Sequence, residues 1–263
     1  MQGSGIKEFS QRLVPYHNHQ SMTEGSHMPN SMSTFKRFEK KYRINIEQHE
    51  SFLSDIDEFI VKDKYPSYSI CNIYYDTETY EIIRRSIDKP LFKEKLRVRS
   101  YGTKKAKKMV FFELKKKYKK EVFKRRVKMP LADFENYQNN GVVPNVYHQV
   151  IDEIEYFINM YKPVPKIYIA YEREAYAGKE DKNIRITFDS NIRFREDDLS
   201  LNCGDYGNYI LDSNWLVAEI KVRGAMPLWL SDALGKNKMY PTSFSKYGYC
   251  FKNYIAKEVF AVA

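Results

Sequence analysis

The chain has 263 residues, of which 43% are hydrophobic, and it carries a formal net charge of +10 at pH 7. This length suits one large domain or two small ones, and no apolar run reaches the roughly 18 residues that a membrane-spanning helix needs. Three widely separated cysteines argue against a zinc cage or a disulfide framework and predict a cytoplasmic protein. The positive charge indicates an anionic partner, namely nucleic acid, a membrane surface or a polyphosphorylated molecule.

The first 31 residues have the composition of an expression tag and linker. They are rich in Gly, Ser and His without periodicity, and Gly25-Ser26-His27-Met28 has the form of a protease-cleavage scar. Their charged residues cancel, so the positive charge belongs to residues 32–263, which we predict to form a single domain. Only His49 and His148 lie outside the tag, which argues against histidine-based catalysis or metal binding.

Hydrophobic periodicity predicts about eight strands with three or four helices set among them, which is an α+β arrangement. No internal repeat or low-complexity linker divides the chain. The predicted helices cover 46–61, 130–140, 145–161 and 227–234, with a short helix or turn over 77–87 and a final aromatic segment after Thr242. The predicted strands cover 35–44, 69–76, 95–99, 111–115, 122–129, 166–176, 183–195 and 215–223.

Six of these strands combine one apolar face with one face of Arg, Lys and Glu. In the segment 95–99 every second residue is a cation, and Glu-x-Lys occurs at Glu39, Glu113 and Glu219. The simplest interpretation is the solvated side of an open sheet. The alternative is a closed β structure with the charged faces inward, where Arg and Lys bind phosphates and a few carboxylates hold a divalent cation.

Motifs of other phosphate and hydrolase chemistries are missing from the sequence. It contains no GxxxxGK[ST], no GxGxxG after a strand, no HRD or DFG, and no GxSxG. RNA-recognition and helix-turn-helix patterns are also missing. A nucleic-acid groove would need the cations but not the glutamates, so we expect no specific nucleic-acid partner.

Eight short motifs follow one another between Phe35 and Tyr254. They are RFEKKY (37–42), IYYD (73–76), KLRVR (95–99), FELK (112–115), YER (171–173), RITFD (185–189), EIK (219–221) and SKY (245–247). This ordered set resembles the triphosphate tunnel metalloenzymes, the CYTH-like superfamily. More narrowly, it resembles the compact bacterial form of the VTC (vacuolar transporter chaperone) domain, the catalytic domain of polyphosphate polymerase.

The resemblance implies an antiparallel eight-stranded β tunnel with helices packed outside. It implies binding of ATP or another triphosphate and of inorganic polyphosphate, with Mn²⁺ or Mg²⁺ as cofactor. Glu219 would be the chief metal ligand, supported by Glu39 and Glu113. The implied catalytic residues are Lys41, Arg97, Arg99, Lys115 and Glu219. The implied substrate-binding residues are Arg37, Lys124, Arg126, Arg173, Arg185, Lys221, Ser245 and Lys246.

The leading hypothesis is transfer of the ATP γ-phosphoryl group to a growing polyphosphate chain, which needs no general base because the acceptor is already an anion. One alternative is hydrolysis of tripolyphosphate or a nucleoside triphosphate, with Glu39 or Glu113 activating water. Another is non-catalytic binding of polyphosphate or RNA. The role of Asp189, as metal ligand or as salt-bridge partner, stays open, and the residues give no signal for the oligomeric state.

Overall fold

A computed structural model of the chain describes residues 37–102, 109–119, 121–142 and 148–257, and its alternating segments form ten antiparallel strands. The predicted basic turn between the strands at 95–99 and 111–115 lies mostly outside the described residues. The strands are β1 (Arg37–Asn45), β2 (Ile60–Asp76), β3 (Phe92–Tyr101), β4 (Met109–Tyr118), β5 (Glu121–Pro130), β6 (Val164–Gly178), β7 (Arg185–Arg195), β8 (Asn208–Tyr209), β9 (Trp215–Arg223) and β10 (Pro241–Thr242).

All strands belong to one sheet with the order β10-β1-β9-β7-β6-β2-β3-β4-β5, and β8 pairs with β7. Eight strands have nine or more residues, whereas β8 and β10 have two each. The prediction of an α+β fold with an antiparallel sheet is confirmed. The prediction of a closed eight-stranded barrel is corrected, because in the described part of the chain the hydrogen-bonded ladder ends at β5 and at β10.

Six α-helices connect or follow the strands in the described residues. The first helix is shorter than predicted, since it ends at Ile56 and a 3-10 turn leads into β2 at Ile60. A capping box forms its start: the Asn45 side chain accepts a hydrogen bond from the backbone N–H of Gln48, and the Gln48 side chain accepts one from the backbone N–H of Asn45. The helices are α1 (Ile46–Ile56), α2 (Glu81–Ile87), α3 (Leu131–Asn140), α4 (His148–Tyr161), α5 (Leu228–Lys236) and α6 (Lys246–Cys250), which continues into a π-helical turn (Phe251–Ile255).

The apolar face of the sheet points outward and packs on helices in two clusters. On one half, Leu96, Val98 and Phe112 contact the buried side of α3 and α4. On the other half, Ala218 and Ile220 lie in a cluster with residues of α1 and α5. The charged face of the sheet is therefore the inner one.

A third apolar cluster lies on the inner side of the sheet and involves α2 and α6. It includes Tyr74 of β2, Ile169 of β6 and Tyr247 of α6. The buried carboxylate of Asp76 accepts hydrogen bonds from the backbone of Ile82 and Ile83 in α2 and from the hydroxyl of Tyr247. These contacts fix α6 across the inner face of the sheet.

A bulge in β7 reverses which side chains point inward. Asn191 has a φ of 49°, and the pairing of β7 with β6 shifts register at this point. After the bulge, Ile192 and Phe194 join the inner apolar cluster. Arg193 turns outward to Glu172, and Arg195 lies 3.6 Å from the ring centroid of Tyr168 on the outer side.

Candidate active site

Strand register places the predicted site residues side by side on the inner face. Lys41 of β1 lies opposite Glu219 of β9, and Arg97 of β3 lies opposite Glu113 of β4. Each of these pairs joins a cation to a carboxylate on the neighbouring strand. Such cross-strand pairs of opposite charge stabilise a sheet.

The sheet curls so that β4 faces β1 and β9, although five strands lie between β4 and β1 in the ladder. Lys115 of β4 lies close enough to charged residues of β1 and β9 for them to influence its pKa. Burial lowers the pKa of Lys115, the carboxylates of Glu39 and Glu219 oppose that shift, and the charge of Lys41 adds to it. The inner face therefore surrounds a common lumen, even though no backbone hydrogen bonds close it among the described residues.

The start of α6 forms one side of this lumen. The ammonium of Lys41 donates to the backbone oxygen of Phe244 at 3.1 Å, and that of Lys95 donates to the hydroxyl of Ser245 at 2.9 Å. Ser245 is also the N-cap of α6, because its hydroxyl accepts from the backbone of Gly248. Phe244 and Ser245 thus contact residues of two different strands, β1 and β3.

Asp189 forms a triad with Arg173 and Lys246. Arg173 donates to both carboxylate oxygens at 2.6 and 2.8 Å, and Lys246 forms an ion pair with the same carboxylate. Burial would raise the pKa of Asp189, but the charges of Lys246 and Arg173 outweigh it and lower the pKa. Of the two roles considered for Asp189, metal ligand and salt-bridge partner, the structure shows the salt bridges.

Glu219 is held between two lysines. Its carboxylate lies 3.7 Å from the ammonium of Lys41 and forms a close ion pair with Lys221, which also lies 3.9 Å from Glu39. Burial would raise the pKa of Glu219, but Lys221 and Lys41 outweigh it, so the pKa is lowered well below its usual range. Glu219 is a carboxylate at neutral pH, which is the form that binds a cation.

Glu113 is a lumen carboxylate surrounded by three cations. Its side chain is 1% exposed and lies within 3.3 Å of a nitrogen of each of Arg97, Lys124 and Arg126. Burial would raise its pKa, but Arg97, Arg99 and Lys124 lower it to about 2. Glu113 therefore serves as a counter-charge that orients Arg97, Lys124 and Arg126.

The residues fit a divalent cation only if the substrate supplies part of its coordination. Within residues 37–102, 109–119, 121–142 and 148–257, no group of three or more His, Cys, Asp or Glu is placed to hold a metal ion. The predicted trio of Glu39, Glu113 and Glu219 is thus not preassembled as a metal site. The carboxylate of Glu113 forms ion pairs with Arg97 and Lys124. The ammonium of Lys221 lies between the carboxylates of Glu39 and Glu219. One carboxylate with phosphate oxygens is nevertheless an ordinary environment for Mg²⁺, and Glu219 fits that role.

The remaining predicted residues lie around this centre. Arg99 is buried and donates to Asn72 at 2.8 Å and to the hydroxyl of Tyr171 at 3.2 Å. Arg185 lies apart from the centre, since it is exposed and pairs with Asp63 at 3.0 Å. Arg37 lies opposite Arg223 where the β1–β9 ladder begins.

Lys95 is a functional candidate that was not among the predicted site residues, although it opens the KLRVR motif. It lies opposite Lys115 in the β3–β4 ladder, and neither lysine forms an ion pair with a carboxylate among the described residues. Burial lowers the pKa of Lys95 to about 7, aided by Lys41, Lys93, Lys115 and Arg97. The signal was present in the alternation of cations over 95–99.

Comparison with known proteins agrees with this geometry. The VTC domain family matches the chain over residues 35–254. The chain belongs to this family. The resemblance carried by the eight motifs is thus confirmed, and membership indicates an enzyme that acts on triphosphates or polyphosphate. Within the described residues, the helices of this VTC domain are all too short or too polar to cross a membrane.

Several solved structures are distantly similar to this VTC domain. A candidate adenylate cyclase from Bacillus halodurans is 13% identical, with a TM-score of 0.49 and coverage of 79% of this chain and 92% of the other. HpAC1 from Hippeastrum, a candidate adenylyl cyclase described as having a dominant triphosphatase activity, is 15% identical, with a TM-score of 0.47 and coverage of 82% and 95%. No curated protein sequence matches the chain.

Proposed function

We propose that this VTC domain is a metal-dependent polyphosphate polymerase, which transfers the γ-phosphoryl group of ATP to the end of a growing polyphosphate chain. One observation carries the proposal. The lumen carboxylates Glu113, Asp189 and Glu219 are each held by two or more cations, whereas Lys95 and Lys115 have no carboxylate partner in the described part of the chain. The cation-lined lumen therefore has a place for phosphate at these two lysines.

We place the transferred phosphoryl group at the lysine pair, Lys95 and Lys115, because Lys95 also contacts Ser245 at the start of α6. Like charges directly opposite on neighbouring strands destabilise a sheet, and the two residues are register partners. An anion between them relieves this repulsion and gains charge-assisted hydrogen bonds. Arg97 lies on the same face of β3, where Glu113 and the hydroxyl of Tyr74 fix its guanidinium.

The transfer itself demands little covalent chemistry from the protein. A terminal oxygen of the polyphosphate chain attacks the γ-phosphorus, a new P–O bond forms, and the bond from the γ-phosphorus to the β–γ bridging oxygen breaks. ADP leaves with that electron pair. Acceptor and leaving group are both anionic oxygens, so no proton has to move, and the cations stabilise the charge in the transition state.

Glu113 and Glu219 are poorly suited to activate water. With a pKa of about 2, Glu113 is a weak base, and the pKa of Glu219 is also lowered. His49, the histidine whose side chain is described, contacts Phe188 of the outer apolar cluster. Of the two residues predicted to activate water, Glu113 is therefore disfavoured, and hydrolysis would depend on Glu39, which lies 3.9 Å from Lys221.

A divalent cation would be held by Glu219 together with phosphate oxygens, with Glu39 nearby across Lys221. Such a cation, Mn²⁺ or Mg²⁺, supplies charge neutralisation at the phosphate oxygens when it is bound. Lys41 and Lys221 keep the Glu219 carboxylate ionised and oriented before substrate arrives.

The proposal is tested by incubating the protein with ATP and Mn²⁺ and separating the products by gel electrophoresis. Polymerisation yields long polyphosphate and ADP in the same gel lane, with little free phosphate. Release of one phosphate per ADP without polymer identifies a hydrolase. Binding of polyphosphate without any turnover of ATP identifies a non-catalytic binding protein.

A further inference from the structure

The inner face of the sheet carries an aromatic patch formed by Tyr68 of β2, Tyr101 of β3 and Phe111 of β4. The ring of Tyr101 lies 5.7 Å from that of Tyr68 and 5.4 Å from that of Phe111, both in edge-to-face geometry. Tyr101 is 41% exposed, although it points to the same side of β3 as the buried Arg99. An exposed aromatic side chain inside a cation-lined lumen is not explained by core packing.

Arginines flank this patch and connect it to the phosphate-binding centre. The guanidinium of Arg126 lies 3.7 Å from the ring centroid of Phe111 and donates to the Tyr101 hydroxyl at 3.2 Å. The guanidinium of Arg99, two residues earlier on β3, lies 6.0 Å from the centroid of the Tyr101 ring. The patch therefore combines ring faces and guanidinium planes, which are the two kinds of surface on which nucleobases stack.

The spacing along β3 matches the dimensions of a nucleoside triphosphate. Arg97 and Tyr101 share one face of the strand, four residues apart, which corresponds to about 13 Å at the rise of a β-strand. With the terminal phosphate near the lysine pair and Arg97, the remaining phosphates and the ribose of an extended nucleotide cover this distance. The base of the nucleotide then lies against the ring of Tyr101.

We propose that the aromatic patch is the nucleobase-binding site of the lumen, and that it takes the base of a purine nucleoside triphosphate by stacking. This inference rests on the proposed function. The patch has two polar groups, the hydroxyls of Tyr68 and Tyr101, and Arg126 already donates to that of Tyr101, so we assign recognition of the base to the ring faces. Stacking without hydrogen bonds to base edges tolerates any purine, so ATP and GTP bind with similar affinity and pyrimidine nucleotides bind more weakly.

The test compares ligands that share the triphosphate but differ in the base. Isothermal titration calorimetry with Mg²⁺ measures the affinity for inorganic tripolyphosphate, for ribose 5-triphosphate and for the β,γ-imido analogue of ATP. In the unaltered protein, the ATP analogue binds more tightly than ribose 5-triphosphate. Equal affinities for these two ligands overturn the inference, and this arm needs no variant.

Variants then locate the contact. In Tyr101→Leu the affinity for the ATP analogue falls about tenfold, in line with the loss of one base–aromatic stack, while that for tripolyphosphate stays within about twofold. Tyr101→Phe retains the ring and the affinity. The matched control is Tyr118→Leu, since Tyr118 is 43% exposed at the far end of β4, and it changes neither affinity.

The outcomes separate the two proposals. If the unaltered protein binds neither tripolyphosphate nor the ATP analogue, the proposed function falls and the nucleobase site falls with it. If tripolyphosphate binds but Tyr101→Leu weakens both ligands equally, or neither, only the nucleobase site is overturned. An equal loss in Tyr101→Phe would assign the effect to the hydroxyl that Arg126 contacts, which also overturns stacking.

Discussion

Two regions of the lumen differ in whether their cations are paired with a carboxylate. In the triad of Arg173, Asp189 and Lys246, a buried carboxylate accepts three contacts from two cations. In the lysine pair of Lys95 and Lys115, two cations lie opposite each other without a carboxylate partner among the described residues. The charges of the triad are compensated within the protein, whereas those of the lysine pair would be compensated by the phosphate of the proposed function.

The largest expected effect concerns Glu219, whose carboxylate interacts with Lys41 and Lys221 and also acts on the pKa of Lys115. We expect Glu219→Gln to lower turnover about a thousandfold or more, because a metal-binding charge worth several kcal/mol is lost. Steady-state assays with ATP and Mn²⁺ measure this. Glu174→Gln is the control, since Glu174 contacts Tyr176 in the outer apolar cluster. Retained metal-dependent turnover in Glu219→Gln would remove Glu219 from the site.

The triad is broken by Asp189→Asn, which leaves the partly buried Arg173 and Lys246 without a counter-charge. We expect a loss of about 3 kcal/mol in the free energy of unfolding, the usual result of removing one partner of a buried pair. Chemical denaturation measures it. Asp63→Asn is a matched control, because Asp63 pairs with the exposed Arg185 on the rim and such pairs contribute about 1 kcal/mol or less. Similar losses in both variants would contradict a special role for the triad.

A substitution in the lysine pair should lower the affinity for phosphate rather than the stability of the fold. Lys115→Met removes one of two opposed charges, so we expect unchanged or higher stability but an affinity for tripolyphosphate lowered about tenfold to a hundredfold. Calorimetry and thermal unfolding of the same samples measure both quantities. Lys117→Met is the control, since Lys117 also lies opposite a lysine, Lys93, but two residues further along β4 and away from the Lys95 that contacts Ser245. A comparable loss of affinity in the control would show a diffuse charge effect.

The smallest expected effect is a pH dependence of the lysine pair. Folding lowers the pKa of Lys95 to about 7 from its ordinary value near 10.5. Between these two values the unfolded chain holds more protons, so the contribution of Lys95 to the free energy of unfolding rises as pH increases from about 7 to about 10. An anion restores the charged form, and its binding near pH 8 therefore takes up a fraction of a proton.

Calorimetry in buffers of different ionisation enthalpy measures this proton uptake, and denaturation at pH 7 and pH 9 measures the stability change. Both effects should be reduced in Lys95→Met. The charged groups that act on Lys95 are Lys41, Lys93, Lys115 and Arg97, so only the difference between the unaltered protein and the variant is informative. Identical proton uptake in both would show that Lys95 stays charged in the free protein.

Strand identity and the inward face were predictable because a strand has a simple period. The segment Trp215–Arg223 was predicted with its observed bounds, and Glu219 and Lys221 alternate with the outward Ala218 and Ile220 as expected. Period-two patterns could not reveal the bulge at Asn191, which turns Arg193 away from the lumen. A bulge depends on pairing with the neighbouring strand, and a single segment does not contain that information.

The pairing of charges was harder to predict than their presence. Glu113 was expected to support a metal, but its neighbours Arg97, Lys124 and Arg126 are set by the registers of β3 and β5 with β4. Lys95 was overlooked for the same reason, since its importance arises from Lys115 opposite it and from Ser245, 150 residues away. Local alternation shows which residues face the lumen, whereas long-range contacts decide which of them keep an uncompensated charge.

The position of α6 has a consequence for the order in which the protein forms. Ser245 and Lys246 follow all ten strands in the chain, yet they contact Lys95 and Asp189, and Phe244 contacts Lys41, 203 residues earlier. During synthesis the eight long strands leave the ribosome before this segment does. A nascent chain that stops before α6 has Arg173 and Asp189 but lacks Lys246, and its lumen is open on the side where α6 lies. The inner face of the sheet is therefore completed last, because Lys41, Lys95 and Asp189 gain these contacts only after this segment has been synthesised.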